Sequence, residues 1–256
     1  MKKHKSDTTG KETRHVSPDN NHGLSAEEYR NFLANASHEM KTPLTSIIGY
    51  SEILLCQPEL SRKDIARFAG IIRREAARLS GIVSDIIALS ELDESRLHRE
   101  FAPVDLLDCC HEAAERLRPL AEVRGVGVSV LGVHAEISGV ATHIAQMIEN
   151  LCDNAIKYNR RGGRVELSVK KNEKGIVLTV ADTGVGIPPE HIGQVFDRFY
   201  RVDKERSKES GGTGLGLSIV RGAAALHGAG IEIESTPGAG TNVRVIFPQD
   251  ATSQKP

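Results

Sequence analysis

The sequence predicts a two-domain protein in which an all-α helical hairpin precedes an α+β sandwich domain. Three observations support this fold class. Apolar residues recur every three or four positions through residues 24–98, as they do in amphipathic helices. Beyond that segment, strand-like runs cluster in pairs instead of alternating strictly with helices, which favours an α+β sandwich. A chain of 256 residues is also long enough to form two domains.

The composition excludes several classes of protein. Hydrophobic residues make up 39% and charged residues 26%, which suits a folded core and excludes collagen, mucin and full-length disorder. The chain has 33 Lys and Arg and 34 Asp and Glu, so its formal net charge is −1. Nonspecific electrostatic attraction to nucleic-acid phosphate is therefore not expected. No apolar run approaches the roughly 18 residues of a membrane span, and the N-terminus lacks the apolar core of a signal peptide. We therefore expect a soluble cytoplasmic chain with no membrane segment.

Two long helices are predicted in the first domain. Ser25 and Glu28 have the spacing of a capping box and mark the start of the first helix, which ends near Gln57 and Pro58. A second apolar stripe over 65–89 sustains a heptad-like seam for more than three heptads.

These helices, joined by a short connection, should form an antiparallel hairpin over residues 24–98. Its apolar seam is too wide for one hairpin to bury. Docking a second copy into a four-helix bundle would cover it, so we expect a homodimer. The polar residues 1–23 show no periodicity and are expected to be a disordered tail or linker.

The second domain is expected to span residues 102–250, with a short tail over 251–256. A long glycine-rich stretch precedes its last helix. The predicted elements are helices at Leu106–Val123, Ser138–Tyr158 and Leu215–Leu226, and strands at Val126–Leu131, Val165–Val169, Ile176–Ala181, Ile231–Glu234 and Asn242–Phe247.

A histidine on the first helix is the first candidate functional residue. His38 lies beside the apolar stripe and not in it, so its imidazole is free to act as a nucleophile or base near neutral pH. The surrounding sequence is S-H-E-M-K-T-P, in which Pro43 removes one helical hydrogen bond and should bend the helix. Thr42 lies four residues after His38 and shares its face.

Two asparagines on the long helix of the second domain suggest a ligand site. Asn150 and Asn154 are four residues apart, so they lie on one face, although helix interiors disfavour asparagine. Amide oxygens together with phosphate oxygens and water suit octahedral Mg²⁺. Lys157, near the same face, could balance phosphate charge.

The first glycine motif directly follows a predicted strand. It reads D-T-G-V-G-I-P from Asp182, and Gly184 and Gly186 would let the backbone approach a flat ligand closely. The carboxylate of Asp182 could accept from an exocyclic amine. A lone G-x-G is weak support for a nucleotide site.

The second glycine motif leads directly into a helix. It reads G-G-T-G-L-G-L-S-I-V over 211–220, and a glycine loop at a helix N-terminus presents N–H groups to phosphate. No G-K-[ST] follows, so it is not a Walker loop. Between the two motifs lies F-D-R-F-Y-R-V-D, with a basic stretch (Lys204, Arg206, Lys208) beyond it. This long, glycine-ended segment is predicted to be a mobile lid.

The four cysteines fit a reducing compartment. Cys109 and Cys110 are adjacent while Cys56 and Cys152 stand alone, so we expect free thiols. A metal site at Cys109, Cys110 and His111 stays an open alternative.

The order of these motifs resembles the cytoplasmic kinase core of sensor histidine kinases. In that family an H box on a dimeric helical hairpin precedes a Bergerat-type ATP-binding domain with asparagine, D-x-G-x-G, phenylalanine and G-x-G-L-G boxes. The resemblance covers residues 25–248. It implies ATP-dependent histidine autophosphorylation with Mg²⁺, phosphotransfer to a response-regulator aspartate, and phosphatase activity toward that regulator.

The resemblance also implies individual roles. His38 matches the phospho-acceptor, Glu39 the acidic neighbour that takes its proton, and Thr42 the residue that positions water in the phosphatase reaction. Arg201 matches a lid arginine near the γ-phosphate, Asn154 the Mg²⁺ ligand and Asp182 the adenine-reading carboxylate. The other matched nucleotide-binding positions are Asn150, Lys157, Tyr158, Gly184, Gly186, Gly212, Thr213, Gly214, Leu215 and Gly216.

Departures from the family pattern are mild. Met40 replaces the commoner leucine, and Gly222 inside the last helix should cost about 1 kcal/mol against alanine. The alternatives are an ATP-sensing adaptor without transfer, a mechanical Bergerat ATPase and a serine kinase of the same superfamily. The intact boxes argue against the first, and the H-box motif argues against the other two. The chain is expected to be either a soluble kinase or part of a sensor anchored in the inner membrane.

Overall fold

The computed structural model describes residues 13–16, 25–57, 59–94, 100–173, 175–203 and 212–248. The chain divides into two compact units. The hairpin unit comprises Asp19–Arg99 and Val195–Leu226, and the sheet unit comprises Met1–Pro18, Glu100–Gln194 and His227–Pro256. The segment 195–226 therefore groups with the hairpin, whereas the sequence assigned it to the second domain.

Two long helices build most of the hairpin unit. Helix α1 spans Ala26–Cys56 and helix α2 spans Arg62–Glu94. The predicted capping box is present, because the Glu28 N–H donates to Ser25 Oγ at 3.2 Å and the Ser25 N–H donates to Glu28 Oε2 at 2.8 Å. The cap residue at the end of α1 is Gln57.

Contacts between the two helices establish that they run antiparallel. The rings of Tyr50 and Phe68 lie 5.4 Å apart, and farther from the connection Arg78 Nη2 donates to Glu39 Oε2 at 2.9 Å. Moving eleven residues back along α1 thus moves ten residues forward along α2. This confirms the predicted helical hairpin.

A third helix, Gly216–Leu226, also belongs to the hairpin unit. We label this helix α5, because two helices of the sheet unit precede it along the chain. A Cβ added at Gly222 would lie 3.1 Å from Leu92 Cδ1, so this glycine lets α5 approach α2 closely. An alanine Cβ would fit there if the end of the Leu92 side chain shifts slightly.

The sheet unit has helices and strands in two layers. Its elements are strands β1 (Thr13–Val16), β2 (Ala102–Asp105), β3 (Gly127–Gly132), β4 (Glu136–Gly139), β5 (Arg164–Asn172), β6 (Gly175–Asp182), β7 (Gly230–Thr236) and β8 (Gly240–Phe247), and helices α3 (Leu106–Arg124) and α4 (Ala141–Lys157).

The main sheet has six strands in the order β1-β7-β8-β6-β5-β3, with β3 and β5 parallel and the other pairs antiparallel. Helices α3 and α4 pack against β5 and against each other. Alternate residues of the strands are buried and form the core with α4; they include Val165, Leu167, Val169, Leu178, Val180 and Val245. This confirms the α+β sandwich.

Two predictions of local structure were wrong, and strands β2 and β4 were not predicted. The segment 1–23, expected to be irregular, contributes β1, which pairs with β7 through four backbone positions. The helix expected from Ser138 begins at Ala141, because Ser138 pairs with Pro103 in the β2–β4 ladder. Pro58, the basic stretch of Lys204, Arg206 and Lys208, and the tail 251–256 lie outside the described residues.

Candidate functional sites

His38 stands on the outside of the hairpin. Its side chain is exposed on α1, and its backbone carbonyl accepts a 3.3 Å hydrogen bond from the Thr42 hydroxyl one turn later. Pro43 is buried inside α1 and cannot donate to the carbonyl of Glu39, yet the helix continues through it. His38 and Thr42 therefore share an open face, as the sequence predicted.

Glu39 points away from that face and toward α2. Its Oε2 accepts hydrogen bonds from Arg78 Nη2 and Arg201 Nη2, each at 2.9 Å. The side chains of Arg78 and Arg201 are only 11% and 6% exposed, so these ion pairs lie largely out of water. The structure thus brings together two predicted site residues, Glu39 and Arg201, and adds Arg78.

Residues 195–203, which follow the first part of the sheet unit along the chain, pack on helix α1 through aromatic rings. Phe196 is buried, and the ring of Phe199 lies 5.7 Å from that of Phe32 on α1. Phe199 has a φ of 62°, a left-handed conformation that is uncommon for a bulky residue. The Arg198 guanidinium lies over the Phe32 ring and makes two hydrogen bonds, of 2.9 and 3.0 Å, to Asp93.

The second glycine motif lies directly against this segment. Gly214 has a φ of +76°, and a Cβ there would lie 2.9–3.1 Å from the backbone of Phe199. The Phe199 N–H donates to the Gly214 carbonyl at 2.8 Å. Backbone packing alone therefore requires glycine at this position, and its place in a phosphate-side loop stays a prediction.

Thr213 links this motif to the helix beyond it. Its hydroxyl donates to Asp85 Oδ2 on α2 at 2.7 Å and accepts from the Leu215 N–H at 3.2 Å. Gly212 is half-buried, Leu215 is fully buried, and Gly216 is the first residue of α5. The motif therefore lies at a helix N-terminus, as predicted.

In the sheet unit, α4 carries the asparagine motif. Asn150 and Asn154 are half-buried on neighbouring turns, beside the buried Leu151 and Ala155. The Lys157 ammonium pairs with Asp153 Oδ2 at 2.7 Å, so it is already partnered within the helix. Tyr158, the C-cap residue of α4, is 37% exposed.

Asp182 ends β6 next to the first glycine motif. Its Oδ1 accepts from the Gly184 N–H at 2.7 Å. Burial raises the pKa of the Asp182 carboxyl, while the N–H groups of Gly184 and Thr241 oppose that rise in its pKa. A Cβ on Gly184 would lie 2.4 Å from the Tyr158 carbonyl oxygen, which joins this motif to the end of α4.

Gly186 is fixed by β7. It has a φ of +68°, and a Cβ there would lie 2.1 Å from the Thr236 carbonyl oxygen. Any larger residue would displace the loop from the strand end. Asp182, Gly184 and Gly186 therefore form one rigid loop in which each glycine meets a backbone carbonyl.

Comparison with known proteins identifies both segments. Residues 28–95 match the His Kinase A (phospho-acceptor) domain, and residues 139–251 match the histidine kinase-, DNA gyrase B- and HSP90-like ATPase family. Together these matches span more than half of the chain. The chain belongs to the histidine kinases of two-component systems.

Two curated relatives are sensor histidine kinases. RppB of Synechocystis sp. is 31% identical over 226 residues, covering 88% of this chain and 50% of the relative. WalK of Bacillus subtilis is 35% identical over 230 residues, covering 87% of this chain and 37% of the relative. The chain thus spans half or less of the length of these two relatives.

A solved structure shares the fold. Histidine kinase ThkA, in complex with response regulator protein TrrA, matches at a TM-score of 0.68 and 20% identity, over 88% of this chain and 63% of that one. At that identity the likeness concerns the fold alone. Within the described ranges, no helix has the length and apolar character needed to cross a membrane.

The cysteines of this histidine kinase are all free. Burial raises the pKa of the Cys110 and Cys152 thiols to about 12 and that of Cys109 to about 11. Such thiols stay protonated and make poor metal ligands at neutral pH. Among the described residues, Cys109, Cys110 and His111 form no ligand cluster, so the C-C-H alternative has no structural support.

Sequence reasoning missed three residues of the kinase's hairpin unit. Arg78, Asp85 and Asp93 on α2 contact Glu39, Thr213 and Arg198 respectively. No motif contains them. Their spacing of seven and eight residues, which places them on one face of a helix, was the available signal.

Proposed function

We propose that this histidine kinase transfers the γ-phosphoryl group of ATP to His38 and then passes it to an aspartate of a response regulator. The observation that carries the proposal is the exposed imidazole of His38 on the phospho-acceptor hairpin, in a chain that also has the ATPase domain. Curated relatives named as sensor histidine kinases support the same activity.

The chemistry at His38 needs a nucleophile and a proton acceptor. A ring nitrogen of neutral His38 attacks the γ-phosphorus, the N–P bond forms, and the bond from that phosphorus to the departing ADP oxygen breaks. The imidazole proton passes to a carboxylate, for which the family resemblance nominates Glu39. In this structure Glu39 Oε2 is instead bound by Arg78 and Arg201, so it must turn toward the imidazole to accept the proton. Positioning and charge neutralisation supply most of the rate enhancement in such transfers.

ATP is assigned to the two glycine motifs and α4. Asp182 is proposed to accept from the adenine amine, on a loop whose glycines fix it against backbone. The N–H groups at the start of α5, from Thr213 to Gly216, suit phosphate oxygens. Gly212 and Tyr158 are proposed as further contacts.

Mg²⁺ is assigned to Asn154, supported by Asn150. Their half-buried amides offer neutral oxygen donors on one helix face, a set that fits a hard cation completed by phosphate and water. When bound, the ion would neutralise phosphate charge. Lys157 and Arg201 are proposed to add positive charge, Lys157 from α4 and Arg201 from the lid.

The proposed dimer follows from the hairpin's open apolar stripe. Leu33, Leu44, Ile48 and Ile87 are 46–53% exposed on α1 and α2. A second hairpin would cover this stripe in a four-helix bundle. Functional domains are proposed at 24–98 and 102–250, so that the lid acts with the ATPase domain although residues 195–226 pack in the hairpin unit.

Thr42 is proposed to serve the reverse reaction. Its hydroxyl lies one turn beyond His38 on the same exposed face, where it could hold a water against the aspartyl phosphate of a docked regulator. The regulator would therefore use the His38 face for both transfer and dephosphorylation.

The deciding experiment is incubation with ATP radiolabelled at the γ-phosphate. We expect acid-labile, alkali-stable label on the wild type, none on His38→Gln, and wild-type labelling of His111→Gln, which changes another exposed histidine. Retention of label by His38→Gln would overturn the assignment. Nucleotide binding without any labelling of the wild type would favour the adaptor alternative.

A further inference from the structure

Arg201 of the lid and Thr213 of the second glycine motif, both proposed to lie at the nucleotide phosphates, donate side-chain hydrogen bonds to carboxylates of the hairpin. Arg201 donates to Glu39 and Thr213 donates to Asp85, at 2.9 and 2.7 Å. Both acceptors are anionic oxygens, the same kind of acceptor that a phosphate presents to these donors.

A third polar contact fixes the same segment without involving a proposed phosphate ligand. Arg198 makes its paired hydrogen bonds to Asp93, and the Phe199 ring packs on Phe32. The segment therefore has an apolar and ionic anchor that is independent of Arg201 and Thr213. Breaking the contacts to Glu39 and Asp85 would leave these Arg198 and Phe199 contacts in place.

The two arginines that bind Glu39 do not use all of their hydrogen-bond donors within the described part of the chain. The Nε atoms of Arg78 and Arg201 are buried, and neither donates to an acceptor among the described residues. A buried donor without an acceptor costs free energy, which weakens this arrangement relative to one in which Arg201 meets more oxygens. Arg78 would keep Glu39 oriented after Arg201 leaves.

We propose that Glu39 and Asp85 compete with nucleotide phosphate for Arg201 and Thr213, so that the hairpin lowers ATP affinity and Glu39 loses one of its two arginine partners when Arg201 moves to the nucleotide. This inference rests on the proposed function, in which those two residues contact phosphate. It makes Asp85 a positioning residue that acts through Thr213 and touches no substrate.

The test is calorimetry with a non-hydrolysable ATP analogue and Mg²⁺ on the full chain. Asp85→Ala should bind the analogue roughly threefold to tenfold more tightly, a fraction of what one hydrogen bond to a charged group can supply. Glu39→Gln should also bind more tightly but lose autophosphorylation. Glu52→Ala, which removes an exposed carboxylate from α1, should bind as the wild type does.

A double variant separates competition from general loosening. In the Thr213→Val background, Asp85→Ala should no longer change affinity, because the donor is already gone. Unchanged or weaker binding by Asp85→Ala, with normal binding by the wild type, would overturn the inference. Failure of the wild type to bind the analogue would instead overturn the proposed function. Asp85→Asn, which keeps the size of the side chain, replaces Asp85→Ala if that variant does not fold.

Discussion

The helices of the two units bury their apolar residues to very different extents. Helix α1 has 31 residues, of which Phe32, Ala36 and Pro43 are buried. Helix α4 has 17 residues, of which eight are buried. The sheet unit therefore covers its own core, whereas the hairpin leaves several large apolar side chains exposed on both of its helices. The comparison teaches that the sheet unit can fold around its own core, while the phospho-acceptor hairpin leaves apolar surface for a partner to cover.

The largest effect is expected from a substitution in the exposed apolar stripe of the hairpin. Ile48→Asp would place a carboxylate in the proposed dimer interface, and burying it without a partner costs several kcal/mol. We expect the dimer dissociation constant to rise by more than about 100-fold, as measured by analytical ultracentrifugation.

The control for this prediction lies in the sheet unit. Leu131 on β3 is 54% exposed, close to the 48% of Ile48, yet Leu131→Asp should leave the molecular mass unchanged. Equal dissociation of both variants would show that the apolar stripe has no special role.

A substitution at Thr42 tests whether the exposed face of the hairpin serves two separate reactions. Thr42→Ala removes the hydroxyl while alanine keeps the helix, so autophosphorylation should persist and regulator dephosphorylation should fall by about 10²-fold. Both rates are measured with the cognate regulator. Thr42→Ser, which keeps a hydroxyl, should restore the second rate. Dephosphorylation by Thr42→Ala at the wild-type rate would exclude this role.

Asp182 provides the corresponding test in the sheet unit. Asp182→Asn should weaken ATP binding by roughly 10- to 100-fold, the scale of a hydrogen bond to a charged group, without affecting dimerisation. Titration calorimetry and ultracentrifugation on the same sample measure the two effects. Loss of dimerisation together with ATP binding would contradict the division between the units.

The pKa of Asp182 predicts an opposite effect of the same substitution on stability. Because burial raises the pKa of this carboxyl, its charged form destabilises the fold, and this penalty grows as pH rises above the ordinary carboxyl range. Asp182→Asn should therefore not lower the free energy of unfolding at pH 7. Any stability gained should shrink as pH falls below that range. Denaturant melts at several pH values test this; destabilisation that grows with pH would refute it.

The smallest effect is expected at Gly222. Alanine there gains up to about 1 kcal/mol of helix propensity, and the nearest atom to its Cβ is the flexible end of Leu92, Cδ1, at 3.1 Å. Gly222→Ala should raise the free energy of unfolding slightly, whereas Gly222→Val should lower it. Chemical denaturation of both variants measures these two changes in the free energy of unfolding.

The sequence predicted elements that have strong local signals. The start of α1 follows from Ser25 and Glu28, and the second glycine motif leads into α5 as expected. The start of α4 could not be predicted, because Ser138 belongs to a strand whose partner lies thirty-five positions earlier, at Pro103. Strand β1 likewise depends on distant pairing with β7.

For the candidate sites, the direction in which a side chain points could not be predicted from the sequence. Motifs located His38, Asn154 and Asp182, but no motif indicates that Glu39 turns toward α2 and meets two arginines. The roles of the predicted site residues remain predictions. The need for glycine at 186 and 214 comes from neighbouring backbone as well as from any ligand.

The protonation of the buried thiols has a practical consequence for spectroscopy. Cys110 and Cys152, with pKa values of about 12, and Cys109, at about 11, are poor nucleophiles at neutral pH, whereas Cys56 is exposed at the end of α1. A maleimide spin label should therefore attach selectively to Cys56 in the unmodified protein. Electron–electron distance measurements between two such labels would report the arrangement of the hairpins without any engineered cysteine.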